Sequence, residues 1–379
     1  MTFGDLTLIG AVALLGPLLV APTSWRLPIM LGELIGGLVL GRTGFGILDS
    51  TDPTFSFLAD LGFALTMFVA GSHVPIRDAS LRPALSRGLL RAVSVGIVAA
   101  GLGYAIAQVF DTGHGAIYAV LMASSSAALV MPTVDSLGLG GPDVLQTLAQ
   151  VAIADTACIV ALPLVIDPSH APRAALGALL IAACAGVLFL ALREFERRGI
   201  WEKARAESKE RQLALELRIS LVVLAGFAAL AVQTHVSIML AGFACGLAVS
   251  AVGQPRRLAK QLFAISDGFL SPLFFVWLGA SLSLRTLWSH PKLIGLGFAL
   301  GFGAVAVHLV TRAMGQPLSL ATMSAAQLGV PVAAATIGQT NGILASGIPS
   351  ALILGALVTV GAMVIASGLA VRQGHLAKT

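Results

Sequence analysis

Apolar positions in this chain come in long continuous runs separated by short polar segments, without the period-two alternation of a membrane-spanning strand. A helix rising about 1.5 Å per residue needs roughly twenty residues to cross about 30 Å of hydrocarbon. Thirteen runs approach or meet that length: 6–22, 27–41, 55–74, 88–109, 115–135, 144–166, 173–192, 214–233, 235–252, 262–284, 292–312, 318–341 and 348–371. They are rich in Ala, Leu and Gly, so the pattern predicts an all-α polytopic membrane protein with about thirteen spans. One long polar stretch, Arg193 to Arg218, mixes both charge signs at helical spacing and reads as a solvated connector helix. The opening MTFGDLTLIG has no basic region, so the first run is expected to be a retained span; fewer than ten residues follow the last run, leaving no room there for a soluble domain.

Composition agrees with the pattern. Of the 379 residues 57% are apolar and 11% charged, whereas a soluble domain carries about a quarter charged residues; mean hydropathy is +0.92. A soluble multidomain protein is excluded. The net charge of +5 does not point to nucleic acid, because the basic residues sit between spans, where membrane orientation accounts for them. With the N-terminus outside, nineteen of the Lys and Arg residues fall on the inner side and four (Arg42, Arg173, Arg285, Lys292) on the outer, which supports thirteen spans with the C-terminus cytoplasmic. A plasma membrane is the expected location. Cys158, Cys184 and Cys245 lie inside apolar runs with no paired spacing, so neither a disulfide framework nor a zinc site is expected.

The two halves resemble each other. IMLGELIGGLVLG (Ile29 to Gly41) aligns with IMLAGFACGLAVS (Ile238 to Ser250) with five identities, and FVAGSHVPIR (Phe68 to Arg77) aligns with VWLGASLSLR (Val276 to Arg285) at nearly the same offset. The pairs join span two to nine and span three to ten. Partners seven spans apart point in opposite directions, so residues 1–172 and 214–379 form two inverted six-helix repeats, with 173–213 as linker helix and charged loop. That arrangement is characteristic of secondary transporters, whose site lies at mid-membrane on discontinuous helices.

An ionisable group at mid-membrane is a functional candidate because leaving it there uncompensated is costly. Asp155, central in span six, has no basic residue in its own span, and Thr156 beside it offers a hydroxyl. The bland alternative is a carboxylate that only caps a neighbouring broken helix. Span five holds Ser124, Ser125, Ser126 and Pro132; span twelve holds Gln327, Gly329 and Pro331. Such residues let a helix unwind and free carbonyls and hydroxyls for a monovalent cation, so these two spans are predicted to be broken and crossed, with Asp155, Thr156, Ser125 and Ser126 binding the ion. Glu33, Asp60 and Asp267 are candidates for funnel-lining or accessory carboxylates. His73, His235 and His308 show no metal-site spacing and read as interfacial or packed. No nucleophile–base constellation or phosphate loop appears, so an enzyme is not expected, nor is a cofactor.

These motifs resemble the membrane domain of the cation/proton antiporter-2 family of bacterial sodium or potassium/proton exchangers, over essentially the whole membrane part. LGELIGGLVLG is similar to that family's second span, LADLGFALTMFVAG (Leu58 to Gly71) to its third, Ser124 to Ala127 to its unwound fifth, and SPLFFVWLGASLSL (Ser271 to Leu284) to its tenth. The resemblance implies a homodimeric exchanger in which a core domain moves against a dimerisation domain, with Asp155 as the ion-binding aspartate. Where the family often carries Asp, Asn or Gln before that residue this chain has Ala154; span ten has no lysine, and span twelve has QLGVPVAA in place of an acid. A single carboxylate carrying one charge each way predicts electroneutral exchange of sodium, lithium or potassium for a proton. Two rivals are a sodium-coupled symporter of an organic anion, which lacks an evident basic residue at mid-membrane, and a membrane subunit that does not transport.

Overall fold

The computed structural model describes residues 1–20, 29–72, 81–169, 171–199, 207, 208, 210, 211, 213–234, 236–253, 256–282, 285, 287 and 290–375. Among them the regular elements are helices. They are α1 (Phe3–Ala13), α2 (Leu15–Val20), α3 (Ile29–Leu40), α4 (Pro53–Ser72), α5 (Leu81–Phe110), α6 (Gly115–Ala123), α7 (Ala127–Ser136), α8 (Pro142–Ile166) and α9 (Ala171–Arg197). The second half gives α10 (Leu215–Gln233), α11 (Ile238–Val252), α12 (Arg256–Ile265), α13 (Ser271–Ser281), α14 (Pro291–Leu309), α15 (Leu318–Ser324), α16 (Gly329–Thr340) and α17 (Ile348–Arg372).

Nine helical segments among the described residues are long and apolar enough to cross a membrane, and three shorter apolar ones accompany them. With α3 they occupy all thirteen predicted runs. The protein is an all-α, multi-pass membrane protein. Among the described residues five runs are not simple helices, the eleventh ending in a 3-10 turn at Val310–Met314. The first divides at Leu14 into α1 and α2; the fifth divides between α6 and α7; the twelfth divides between α15 and α16; and in the tenth, α12 passes through a π-turn, Ser266–Leu270, into α13. Of the Arg193–Arg218 connector, residues 200–206, 209 and 212 lie outside the described residues, as do His73 and His235; the expected single connector helix is not seen in the rest, where α9 stops at Arg197 and α10 begins at Leu215, while Glu207 and Arg211 pair at 3.1 Å at i,i+4 spacing.

Packing sorts the helices into two bundles that cut across the sequence halves. One joins α1–α4 with α10–α13; the other joins α5–α8 with α14–α17; α9 lies against α8 on one side and α10 and α11 on the other. In the first bundle α3 crosses α13 and α4 crosses α11, and both crossings are made at glycines. A Cβ on Gly37 would lie 2.1 Å from the Val276 carbonyl oxygen, and one on Gly246 would lie 2.1 Å from that of Phe68. Likewise Gly279 faces the Leu34 carbonyl (2.1 Å) and Gly71 that of Phe243 (2.4 Å). Each contact maps onto its counterpart by the offset between the repeated segments. Backbones this close exclude any side chain, the arrangement small residues permit between membrane helices.

Where α8 begins, Gly141 at φ 100° turns the chain and Pro142 opens the helix, where its missing N–H has no intrahelical use. This start carries Gln146, Thr147 and Gln150 along one side before Asp155. All four are buried.

Candidate functional site

The site is assembled in the second bundle, where the two broken spans meet. After Ala123 the chain leaves helix at Ser124 (φ −72°, ψ 150°) and resumes it at Ala127; after Ser324 it leaves helix and resumes at Gly329. The two interruptions touch directly. Ser126 N–H donates to the Ala326 carbonyl (2.8 Å), and the Ser125 hydroxyl donates to the Ser324 carbonyl (2.7 Å). Crossing breaks of this kind satisfy backbone groups that lipid could not. They also bring two half-helix N-termini, with positive dipole ends, and two C-termini, with negative ones, into one small volume.

Asp155 lies beside this crossing. Its side chain is buried on α8, and Oδ2 accepts the Ala127 N–H at 2.9 Å, so the carboxylate caps the first turn of α7. That is its one hydrogen bond and it has no ion pair among the described residues. A carboxylate can accept about four hydrogen bonds, so capping leaves most of its capacity unused. Asp155 is thus a cap of α7 and a buried acid with unused acceptor capacity.

The three serines differ. Ser124 donates to Leu121 O (2.7 Å) and Ser125 to Ser324 O, whereas the hydroxyl of Ser126, a buried residue, has no hydrogen-bond partner among the described residues. Ser126 is thus the free hydroxyl next to the Asp155 cap. Thr156, half-buried, turns its hydroxyl back to Ala152 O (2.8 Å), leaving its oxygen only as an acceptor. Pro331 falls at the third residue of α16, where a missing N–H costs no helical bond, so it starts that half-helix instead of disturbing it. Pro132 lies inside α7. Gln327 is buried at the second break; its backbone N–H donates to Thr359 Oγ1 (3.1 Å), and its side-chain nitrogen has no partner. Gly329 opens α16 against the Met239 sulfur, 2.9 Å from a Cβ built there.

The other carboxylates belong to the first bundle. Glu33 is buried in α3 with Asp267 within electrostatic reach, while Asp267, in the π-turn, and Asp60, on α4, are exposed. Among the described residues neither Glu33 nor Asp60 is joined by a hydrogen bond to the crossing. The structure adds residues that sequence reasoning passed over. His308, read as interfacial or packed, is fully buried with its ring against Ser125; Gln150 donates to Ser324 Oγ (3.3 Å); and Gln316 donates to Thr147 Oγ1 (2.9 Å). Arg91, counted on the inner side, is buried in α5, with Nη1 unpartnered among the described residues and Asp143 as a charged neighbour. The signal available for all of them was a polar residue inside or at the edge of an apolar run, which fixes neither facing nor partner.

A multi-pass bundle with two broken helices crossed beside an unpaired carboxylate is the form of a membrane carrier of small ions. The chain belongs to the family described as sodium/hydrogen exchanger, transmembrane, whose model matches residues 10–371. It is 27% identical to "Probable Na(+)/H(+) antiporter 3" of Methanocaldococcus jannaschii, over 86% of this chain and 85% of that one. It is 24% identical to "Putative Na(+)/H(+) antiporter YjbQ" of Bacillus subtilis, over 93% of this chain and 61% of the relative, and 27% identical to "Glutathione-regulated potassium-efflux system protein KefC" of an Enterobacter species, over 75% and 46%. The chain thus spans three fifths or less of some relatives it matches. The relatives are named as transporters, not enzymes. In three dimensions it is similar to the sodium proton antiporter MjNhaP1 of Methanocaldococcus jannaschii, with TM-score 0.71 at 16% identity and full coverage of both chains, and 0.63 against that protein's structure at pH 8, covering 97% and 96%. That likeness establishes the fold.

Proposed function

We propose that the protein exchanges a monovalent cation for a proton by alternating access, with Asp155 as the carboxylate that holds either one. The observation that carries this reading is the burial of Asp155, with a single hydrogen bond and no ion pair, beside two crossed helix breaks. A bare carboxylate there costs on the order of several kcal/mol. It is neutralised by a proton or by a cation, and the Ser126 hydroxyl with the oxygens of the two breaks supplies the remaining ligands. The second bundle carries the site across only when the acid is neutral, and competition between the two cargoes then gives exchange. One charge each way makes it electroneutral, so its rate does not change with an imposed membrane potential.

Two inverted repeats, 1–172 and 214–379 joined through 173–213, fit this motion, and the matched glycine crossings of the first bundle support them. In this reading the first bundle is the scaffold and the second the moving body, with Met67 and Met239 at the α16 N-terminus as part of the seal between them. The chain lies in the plasma membrane with its N-terminus outside and C-terminus cytoplasmic, following the distribution of Lys and Arg. A homodimer is part of this reading, resting on the resemblance of the sequence motifs to the cation/proton antiporter-2 family.

The test is collapse of a pH gradient in proteoliposomes on adding sodium, lithium or potassium, beside Asp155→Asn. Collapse by a cation without any organic solute, lost in the variant, is the expected result; undiminished collapse after Asp155→Asn removes the role of Asp155. The buried Arg91 is the one feature favouring organic-anion symport, and a requirement for an organic solute would establish it.

A further inference from the structure

The imidazole of His308 sits where no role has been given to it. It is fully buried on α14, with Nδ1 2.8 Å from the Ala304 carbonyl oxygen one turn back. A carbonyl only accepts, so Nδ1 carries the proton, and the neutral ring keeps its lone pair on Nε2. That nitrogen faces Ser125 Oγ at 3.4 Å. Ser125 has one hydroxyl proton, and it is directed to the Ser324 carbonyl at 2.7 Å. Two acceptors, Ser324 O and His308 Nε2, therefore compete for one proton, and in this structure the carbonyl holds it.

We propose that His308 is a positioning residue for the cation: its Nε2 receives the Ser125 hydroxyl when the Ser324 carbonyl turns to the ion. The proposal rests on the exchange reading above. The Ser324 carbonyl ends α15, where the helix dipole leaves partial negative charge, and it is well suited to a hard cation once its donor is gone. Without a second acceptor, the Ser125 proton would then point at a cation or at nothing, and a buried hydroxyl with no acceptor is costly. Rotating the O–H toward Nε2 and closing the gap by about half an ångström gives an ordinary hydrogen bond. The ring stays neutral throughout, and no bond other than hydrogen bonds is made or broken. Adjacent residues tie the change to the site: Ser126 N–H holds Ala326 O, and Ala127 N–H holds Asp155.

The experiment is a double-mutant cycle in proteoliposomes, reading the sodium, lithium or potassium concentration for half-maximal proton release and the maximal rate. His308→Leu removes the acceptor and is expected to raise the half-maximal concentration about tenfold with the maximal rate within about twofold. His308→Gln, whose amide oxygen accepts near the Nε2 position, is expected to restore it to within about threefold. In a Ser125→Ala background His308→Leu has no further effect. His308→Met takes the place of His308→Leu if the latter does not fold. An equal rise with and without Ser125, or no rise in either, overturns the proposal while leaving exchange intact. Absence of cation-dependent proton release from the folded wild-type protein overturns the exchange reading and this inference with it.

Discussion

The two bundles solve opposite problems with the same kind of apolar sequence. In the first, α3 and α4 press their glycines against the backbones of α13 and α11, and the contacts recur in matched pairs. In the second, α6, α7, α15 and α16 stop short of one another and meet through serines, carbonyls and one carboxylate. Close backbone packing makes a body that resists deformation, since a core of that density has no room to adjust. Interrupted helices do the reverse. They leave backbone dipoles and hydroxyls whose partners can be exchanged for an ion. The proposed exchange would use this pairing of a rigid body with a polar, re-arrangeable one.

The sharpest break of this contrast is expected from one substitution in each bundle. Asp155→Asn should abolish cation-dependent proton movement, a loss of at least about 100-fold, with melting temperature and gel-filtration profile kept, since the amide still accepts from Ala127 N–H. Gly37→Leu should instead prevent a folded product, because its side chain would have to occupy the Val276 backbone. An Asp155→Asn protein that does not fold would make the capping bond its main role.

Next in size are the alanine substitutions that test the symmetry. Gly37→Ala and Gly246→Ala should each destabilise by about 3 kcal/mol, and by amounts within about 1 kcal/mol of each other, because each meets a carbonyl oxygen at 2.1 Å. Gly96→Ala, on α5 with nothing within 4 Å, should be neutral or stabilising by up to about 1 kcal/mol. Thermal unfolding in lipid nanodiscs reads all three. Widely unequal losses at Gly37 and Gly246 would break the correspondence between the two crossings.

Smaller effects separate the serines of the second bundle. Ser126→Ala should raise the half-maximal cation concentration about fivefold or more, through loss of a ligand, with the maximal rate little changed. Ser125→Ala should act in the same direction, whereas Ser124→Ala, whose hydroxyl only returns to Leu121 O, should stay within about twofold. Equal effects at all three would mean that the break responds to lost volume and not to particular hydroxyls.

The smallest effect is expected at the polar end of α9, outside either bundle's interior. Glu194 pairs with Arg198 at 2.7 Å, and the Arg198 hydrogen bond and charge, with Arg197 behind, hold its carboxyl below the usual range. The sign follows: any stability the pair adds is present above the ordinary carboxylate pKa and is lost as pH falls through the lowered value. The pair is exposed, so Glu194→Gln should leave exchange unchanged and shift the melting temperature by no more than about 1 °C.

Much of the architecture was legible beforehand. Thirteen runs became helices at the expected places, and the serines at 124–126 and the Gln327–Pro331 stretch marked the two breaks. Pro331 marked its break for a different reason than local disturbance, since it begins a half-helix. The division of span one at Leu14 and the π-turn at Ser266–Leu270 also had prolines beside them, Pro17 at the third residue of α2 and Pro272 at the second of α13, which the length of the apolar runs did not bring out. Arg91 lay inside its run at 88–109, and hydropathy does not say whether such a side chain points outward or in.

Sequence by itself determined the number of helical runs, the class of solvent they face and the place of Asp155 in the middle of its run, because each follows from how many consecutive apolar residues a bilayer demands. Which spans touch was decided only in three dimensions. That α3 meets α13, that Ser126 bonds Ala326 from two hundred residues away, and that His308 reaches Ser125 depend on helix facing and crossing angle. In an apolar solvent the hydropathy pattern is nearly the same all round a helix, so it does not encode facing; glycines, serines and lone polar groups choose the partner when the helices pack.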